Sequence, residues 1–68
     1  MDTWADGHGL WHATVPGESG RATKAAARRA IVAELALREG PNFSPRSVAV
    51  ELVDSGPAGS HYREVEGR

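Results

Sequence analysis

The sequence predicts an α+β domain, a two-layer β-α-β-β arrangement in which one long helix packs on a small three-stranded sheet. Three observations lead there. Residues Arg21 to Glu39 are an unbroken run of good helix formers stopped by Gly40-Pro41. Leu10 to Val15 and Ser47 to Val53 alternate with the period of two that belongs to strands. A turn rich in Gly and Pro, DSGPAGS, then joins the second of these runs to a third short alternating segment.

Taken in order, residues 1–8 are polar and Gly-rich and read as a flexible arm ahead of a single domain over residues 9–66. Trp4 is the exception in that arm. An indole is a large apolar surface to leave in water, so it either folds back on the sheet or meets a partner. His8 and His12 have the four-residue spacing of metal ligands on a helix, but the first lies between Gly7 and Gly9 and the second falls in a strand. At about 3.3 Å per residue that places them about 13 Å apart, too far for one ion.

Leu10 to Val15 is the first strand, with Trp11, Ala13 and Val15 on one face and Leu10, His12 and Thr14 on the other. Pro16 to Gly20 is a turn. Its GESG run lacks the spacing of a nucleophile elbow, and no phosphate-cradling Gly-Lys loop occurs.

Nine of the nineteen residues from Arg21 to Glu39 are Ala or Leu, and the Arg, Lys and Glu between them also favour the helix. Thr23 or Ser19 supplies the N-cap oxygen. At 100° per residue, Ala22, Ala26, Ala30, Ala33 and Leu37 share one side and Ala27, Ile31 and Leu35 another, with Val32 between Arg28 and Ala36. A small sheet covers one side only, so a remainder is expected to be hidden against another molecule. The first half carries Arg21, Lys24, Arg28 and Arg29, which opposes the preference of the helix dipole for anions at its N-terminus. These four are either a solvated face or a patch for an anionic partner.

After the helix, Phe43 in the PNFSP loop plugs the end of the core, Ser47 to Val53 is the second strand, and His61 to Glu66 returns beside it as an antiparallel edge strand. Gly67 and Arg68 are a frayed end. The first and second strands are expected to be parallel, with the helix as a right-handed crossover between them.

Sixty-eight residues make a domain that buries only about 60% of its unfolded surface. With no cysteine, neither disulfides nor a thiolate zinc site stiffen it, so a homodimer is the expected staple. Eight basic and nine acidic residues give a net charge of −1, which excludes a surface built wholly to condense on nucleic acid. The N-terminus lacks the charge and apolar run of a signal peptide, and nothing approaches the roughly 20 apolar residues of a membrane span. A soluble, cytoplasmic chain is expected, with no membrane partner. Ser60, His61, Asp54 and Glu64 are the only cluster with nucleophile and base character, and nothing in the sequence orients them. No enzyme, cofactor or metal site is expected.

The layout from Gly9 to Val53 resembles the HicB-type antitoxins. The matching features are W-x-A-x-V-P-G at Trp11 to Gly17, the Ala22-Thr23 helix start, R-x-A-I at Arg28 to Ile31, Leu35, R-E-G at Arg38 to Gly40, and V-x-V-E at Val48 to Glu51. The chain departs from that pattern in a helix about one turn short between Thr23 and Ile31, in a first strand missing or reduced to the arm, and in having no DNA-binding segment after the closing strand. The resemblance implies a partial RNase H-like fold that sequesters a small RNase toxin. On this reading the protein is a small non-enzymatic protein-binding regulator, an antitoxin or a phage-type inhibitor of a host protein. Its partner interface is expected to use Trp4, Leu10, His12, Ile31, Val32 and Leu35. A second resemblance, of GRATKAAARRAIVAEL to the last helix of double-stranded RNA-binding domains, implies RNA or DNA binding through Arg21, Lys24, Arg28 and Arg29.

Overall fold

In a computed structural model, residues 1–66 are described; Gly67 and Arg68, expected as a frayed end, lie outside them. The elements are β1 (Asp2–Ala5), β2 (Trp11–Pro16), α1 (Arg21–Glu39), β3 (Val50–Gly56) and β4 (Gly59–Glu64). They form the α+β fold the sequence predicts, one helix on an antiparallel sheet, but with four strands in the order β1-β2-β4-β3.

The additional strand comes from the segment expected to be a loose arm. Asp2, Thr3, Trp4 and Ala5 pair with Thr14, Ala13, His12 and Trp11. Asp6 closes the hairpin: its backbone N–H donates to Leu10 O, and its Oδ1 accepts the N–H groups of His8 and Leu10 at 2.8 and 3.0 Å. Such a side-chain-to-backbone turn is what Asx residues do well.

The other correction concerns β4, which lies between β2 and β3 and not at an edge. β2 and β3 point the same way but never touch as neighbours. The hairpin DSGPAGS forms where expected, and β4 then inserts into the centre because its alternate residues Ser60, Tyr62 and Glu64 are all buried on the helix side. The second strand starts later than its pattern implies, since Pro45–Ser47 winds into a 3₁₀ turn.

The core is the layer between α1 and the sheet: Ala27, Ile31 and Leu35 from the helix against Trp11, Ala13, Val15, Val50 and Tyr62 from the strands and Val48 just before β3. Phe43 packs on its edge, as expected. Ala13 and Ala27, both fully enclosed, let helix and sheet approach closely, and α1 lies chiefly along β2. The helix begins at Gly20, whose N–H donates to Thr23 Oγ1 at 2.9 Å, while the same hydroxyl bonds to the Tyr62 hydroxyl at 2.8 Å. It ends at Gly40, with φ of 77°, as the Gly-Pro pair requires.

One helix face is covered and the opposite one is open. Leu37 is 80% exposed, and Ala22, Ala33 and Ala36 are exposed with it, while Ala26, Ala30 and Val32 are half-buried shoulders. Enclosure on more than one side is therefore not observed: alanine lies on a wet face at little cost.

Candidate functional site

The sheet face turned away from α1 holds a cluster that no sequence motif announces. It is built from the β1–β2 hairpin and β4. Trp4 lies opposite His12 in the β1–β2 pairing, and His61 lies opposite Thr14 in the β2–β4 pairing, so the three rings meet on one face. The Trp4 indole stacks on His12 with centroids 5.1 Å apart and planes 10° from parallel, and it tilts over His61 at 5.2 Å.

Polar contacts run through the same rings. His12 Nε2 lies 2.7 Å from Asp6 Oδ2, and His12 Nδ1 lies 2.8 Å from His61 Nε2. The carboxylate accepts only, so His12 carries a proton on Nε2. The second contact then holds one proton between two nitrogens, on either ring. The centroid separation of 5.0 Å matches the N–N gap of 2.8 Å plus a ring radius at each end. The rings therefore meet edge to edge along a hydrogen bond, not converging on a third point as two ligands of one metal would. Among the described residues no group of three or more His, Cys, Asp or Glu side chains is placed to hold an ion.

This environment separates the behaviour of the two acidities involved. The hydrogen bond from His12, joined by the Leu10 N–H, draws the Asp6 carboxyl down to about 2. Desolvation by burial, and then the charge His12 carries when protonated, push the His61 imidazole below the ordinary histidine value, with Asp54 opposing and Arg63 adding to the shift.

Around the cluster the face is acidic. A hollow of about 430 Å³ at the hairpin end of the sheet is lined in part by Asp6, His8, Glu51 and Glu66. The Arg63 guanidinium in it is bonded to Glu51 by two donors, at 3.0 and 2.9 Å. The outer strand β3 adds Asp54 on this face, opposite His61. A break in register between Leu52 and Asp54 turns Val53 out as a bulge. Leu52, opposite Tyr62 and so on the helix side of this edge, and Val53 at the bulge are 47% and 43% exposed; with Trp4 at 39% they are the exposed large hydrophobic residues of the strands.

The residues proposed from sequence as a partner interface do not form one surface. Ile31 and Leu35 face the sheet and are enclosed in the core, because they share a helix side with Ala27; they are unavailable to a partner. Val32 is a half-buried shoulder packed on the core. Trp4 and His12 do meet, His12 being nearly buried under the indole, while Leu10 is half-buried in the hairpin turn.

The basic set also divides. Arg28 donates Nε to Val48 O at 3.0 Å and Nη2 to Pro45 O at 2.6 Å, which fixes the loop entering β3. Arg21, Lys24 and Arg29 remain exposed on the helix.

The catalytic cluster is not assembled. Ser60 and Glu64 point to the helix side, where Ser60 Oγ donates to Gly17 O and Glu64 Oε1 accepts the Trp11 N–H; His61 and Asp54 lie on the opposite face. The Trp11 ring is capped by Arg38, its guanidinium carbon 4.5 Å from the ring centroid. Among the described residues no helix is long and apolar enough to cross a membrane.

The chain matches no family model, no curated protein and no solved structure.

Proposed function

We propose that this protein is a small, non-enzymatic, cytoplasmic regulator that binds another protein along β3 and the acidic sheet face beside it, in the manner of an antitoxin or an inhibitor. One observation carries the reading. β3 is an outer strand with two exposed apolar residues, Leu52 and Val53, set between Glu51 and Asp54.

An outer strand presents unpaired backbone groups and is normally blunted by charge or a bulge. Here both devices are present, and the charge that β3 itself carries has one sign, Glu51 being bonded to Arg63 of β4. Two copies pairing through β3 bring Glu51 and Asp54 against their own kind, which opposes a homodimer at this edge. A partner strand that alternates basic and apolar residues meets Glu51 and Asp54 on the outer face of the edge and covers Leu52 on the helix side. The HicB-like layout supports the reading in one respect: Asp2–Ala5 supplies a strand where the sequence left that pattern short. The toxin or host protein such a module would sequester is a partner of that chemistry.

The test uses Leu52→Lys/Val53→Lys. Both positions are exposed, so the variant keeps the wild-type unfolding midpoint but loses stoichiometric capture of the partner from the host that encodes the chain. Equal capture by wild type and variant refutes the reading. Light scattering at high micromolar concentration is expected to return the mass of one 7.2 kDa chain; a stable dimer abolished by the same substitutions would assign this edge to self-association instead.

The rival, nucleic-acid binding, is favoured by one observation: none of Arg21, Lys24 and Arg29 forms an ion pair among the described residues. With Arg28 engaged by carbonyls, three phosphate contacts remain. They give a log–log salt dependence of about −3 on duplex DNA. A gel shift with that slope, lost in the triple Gln variant, would establish it.

A further inference from the structure

We propose that Asp6, His12 and His61 form a proton-controlled clasp that fastens the β1–β2 hairpin to β4 and lets go on mild acidification. The three groups come from three places in the fold: the hairpin turn, β2 and β4. They are joined in series by contacts of 2.7 and 2.8 Å, with Trp4 of β1 lying over both rings. β1 is only four residues long, and its one neighbour is β2. Beyond its backbone ladder to β2, the stack and the clasp are the side-chain contacts that carry it onto β4.

Counting protons shows why this arrangement switches. With both rings neutral, His12 Nε2–H donates to Asp6 and His61 Nε2–H donates to His12 Nδ1. One added proton is accommodated. Placed on His61 Nδ1, it leaves both bonds intact; if instead the His61 ring keeps a single proton, on Nδ1, and His12 carries one on each nitrogen, the second bond is reversed and His61 Nε2 accepts. A second added proton puts N–H groups on both sides of the 2.8 Å gap, so the bond is lost and two positive rings face each other under the indole.

The surroundings do not cancel this repulsion. The charged groups facing the rings are Asp6 in the turn, Asp54 across from His61 on β3, Arg63 two residues along β4 and bonded to Glu51, and Asp2 across from Thr14 on β1. Asp6 is already bonded to His12, Asp54 offsets the repulsion only in part, and Arg63 adds to it. α1 contributes nothing, being on the opposite face.

The sign follows from linkage. The closed clasp binds one proton fewer than the open hairpin, in which both imidazoles take the ordinary value near 6.5. Below that pH the opening equilibrium rises about tenfold per pH unit, until the closed form takes its second proton. Above it the clasp is fully made. Opening uncovers the rest of Trp4 and weakens the hold of β1 on the outward edge of β2, whatever binds β3.

Amide hydrogen exchange on the whole chain between pH 7.5 and 4.5, expressed as protection factors to remove the intrinsic pH dependence, tests this. Protection of the β1 amides is expected to fall about tenfold per pH unit below 6.5, while the Tyr62 amide between β2 and β3 holds. In His61→Phe, which keeps a ring beneath Trp4 but cannot titrate, the fall disappears. Protection of β1 that ignores pH in the wild type, or falls equally in His61→Phe, overturns the proposal. A second readout needs no variant: the imidazole resonances of His61 are expected to titrate below the ordinary histidine value, and a curve at that value would also overturn it.

Discussion

Ile31 and Leu37 are large aliphatic residues six positions apart on one helix, and the fold assigns them opposite fates. Ile31 is fully enclosed between α1 and the sheet, while Leu37 is 80% exposed. Truncating Ile31 to Val removes one methylene group from a site with no room to relax, at a cost of about 0.5–1.5 kcal/mol. Ile31→Ala costs about 2–5 kcal/mol. A domain of this length has a total stability of roughly 3–10 kcal/mol, so the larger truncation removes a substantial part of it and in a marginal background unfolds the chain. Leu37→Ala changes stability by less than about 0.5 kcal/mol, since it deletes a side chain already in water. Urea denaturation followed by circular dichroism separates the cases: at a slope near 1 kcal/mol/M, Ile31→Val lowers the midpoint by roughly 0.5–1.5 M and Leu37→Ala leaves it within about 0.5 M. A Leu37→Ala loss matching that of Ile31→Val would mean that the helix is rotated from the position described, and the assignment of its outer face as free would fail.

Two further outcomes follow from particular contacts. Arg28→Met removes both carbonyl contacts to the β3 entry loop and costs about 1–3 kcal/mol in the same denaturation experiment, as expected for hydrogen bonds from a charged donor, whereas Arg21→Gln and Arg29→Gln leave the midpoint unchanged. While the clasp is closed, the Asp6 carboxyl is held down to about 2 by His12, so its contribution in that form is complete above the ordinary carboxylate value of 3.8 and is lost as pH falls through about 2; Asp6→Asn flattens that acid limb of the stability profile.

The helix was legible because its signals agree: propensity over nineteen residues and a Gly40-Pro41 stop. The β3–β4 hairpin was legible from DSGPAGS between alternating runs. β1 was hidden because four residues are too few to show a period, although Asp6-Gly7 is a hairpin-turn signal that marks where it reverses. The place of β4 was obscured by chemistry. Its inward residues Ser60, Tyr62 and Glu64 carry polar groups, and they are buried only because Gly17 O, Thr23 and the Trp11 N–H receive them. Sequence alternation records which residues share a face, but not which polar ones find partners inside.

The candidate site was less legible than the fold. His12 and His61 are 49 residues apart, and their meeting depends on a strand order that places β4 beside β2. The apolar count of the helix pointed to an interface at Ile31 and Leu35, yet a small sheet is enough to enclose both. Leu52 and Val53 became visible as a surface only once β3 proved to be an outer strand with a bulge.

The most direct test of the functional account is quantitative capture of the partner from the native host by three proteins side by side: wild type, Leu52→Lys/Val53→Lys, and Arg21→Gln/Lys24→Gln/Arg29→Gln. The account predicts stoichiometric recovery with wild type and with the helix variant, and loss with the strand variant alone. Undiminished recovery by the strand variant, or loss confined to the helix variant, would contradict it.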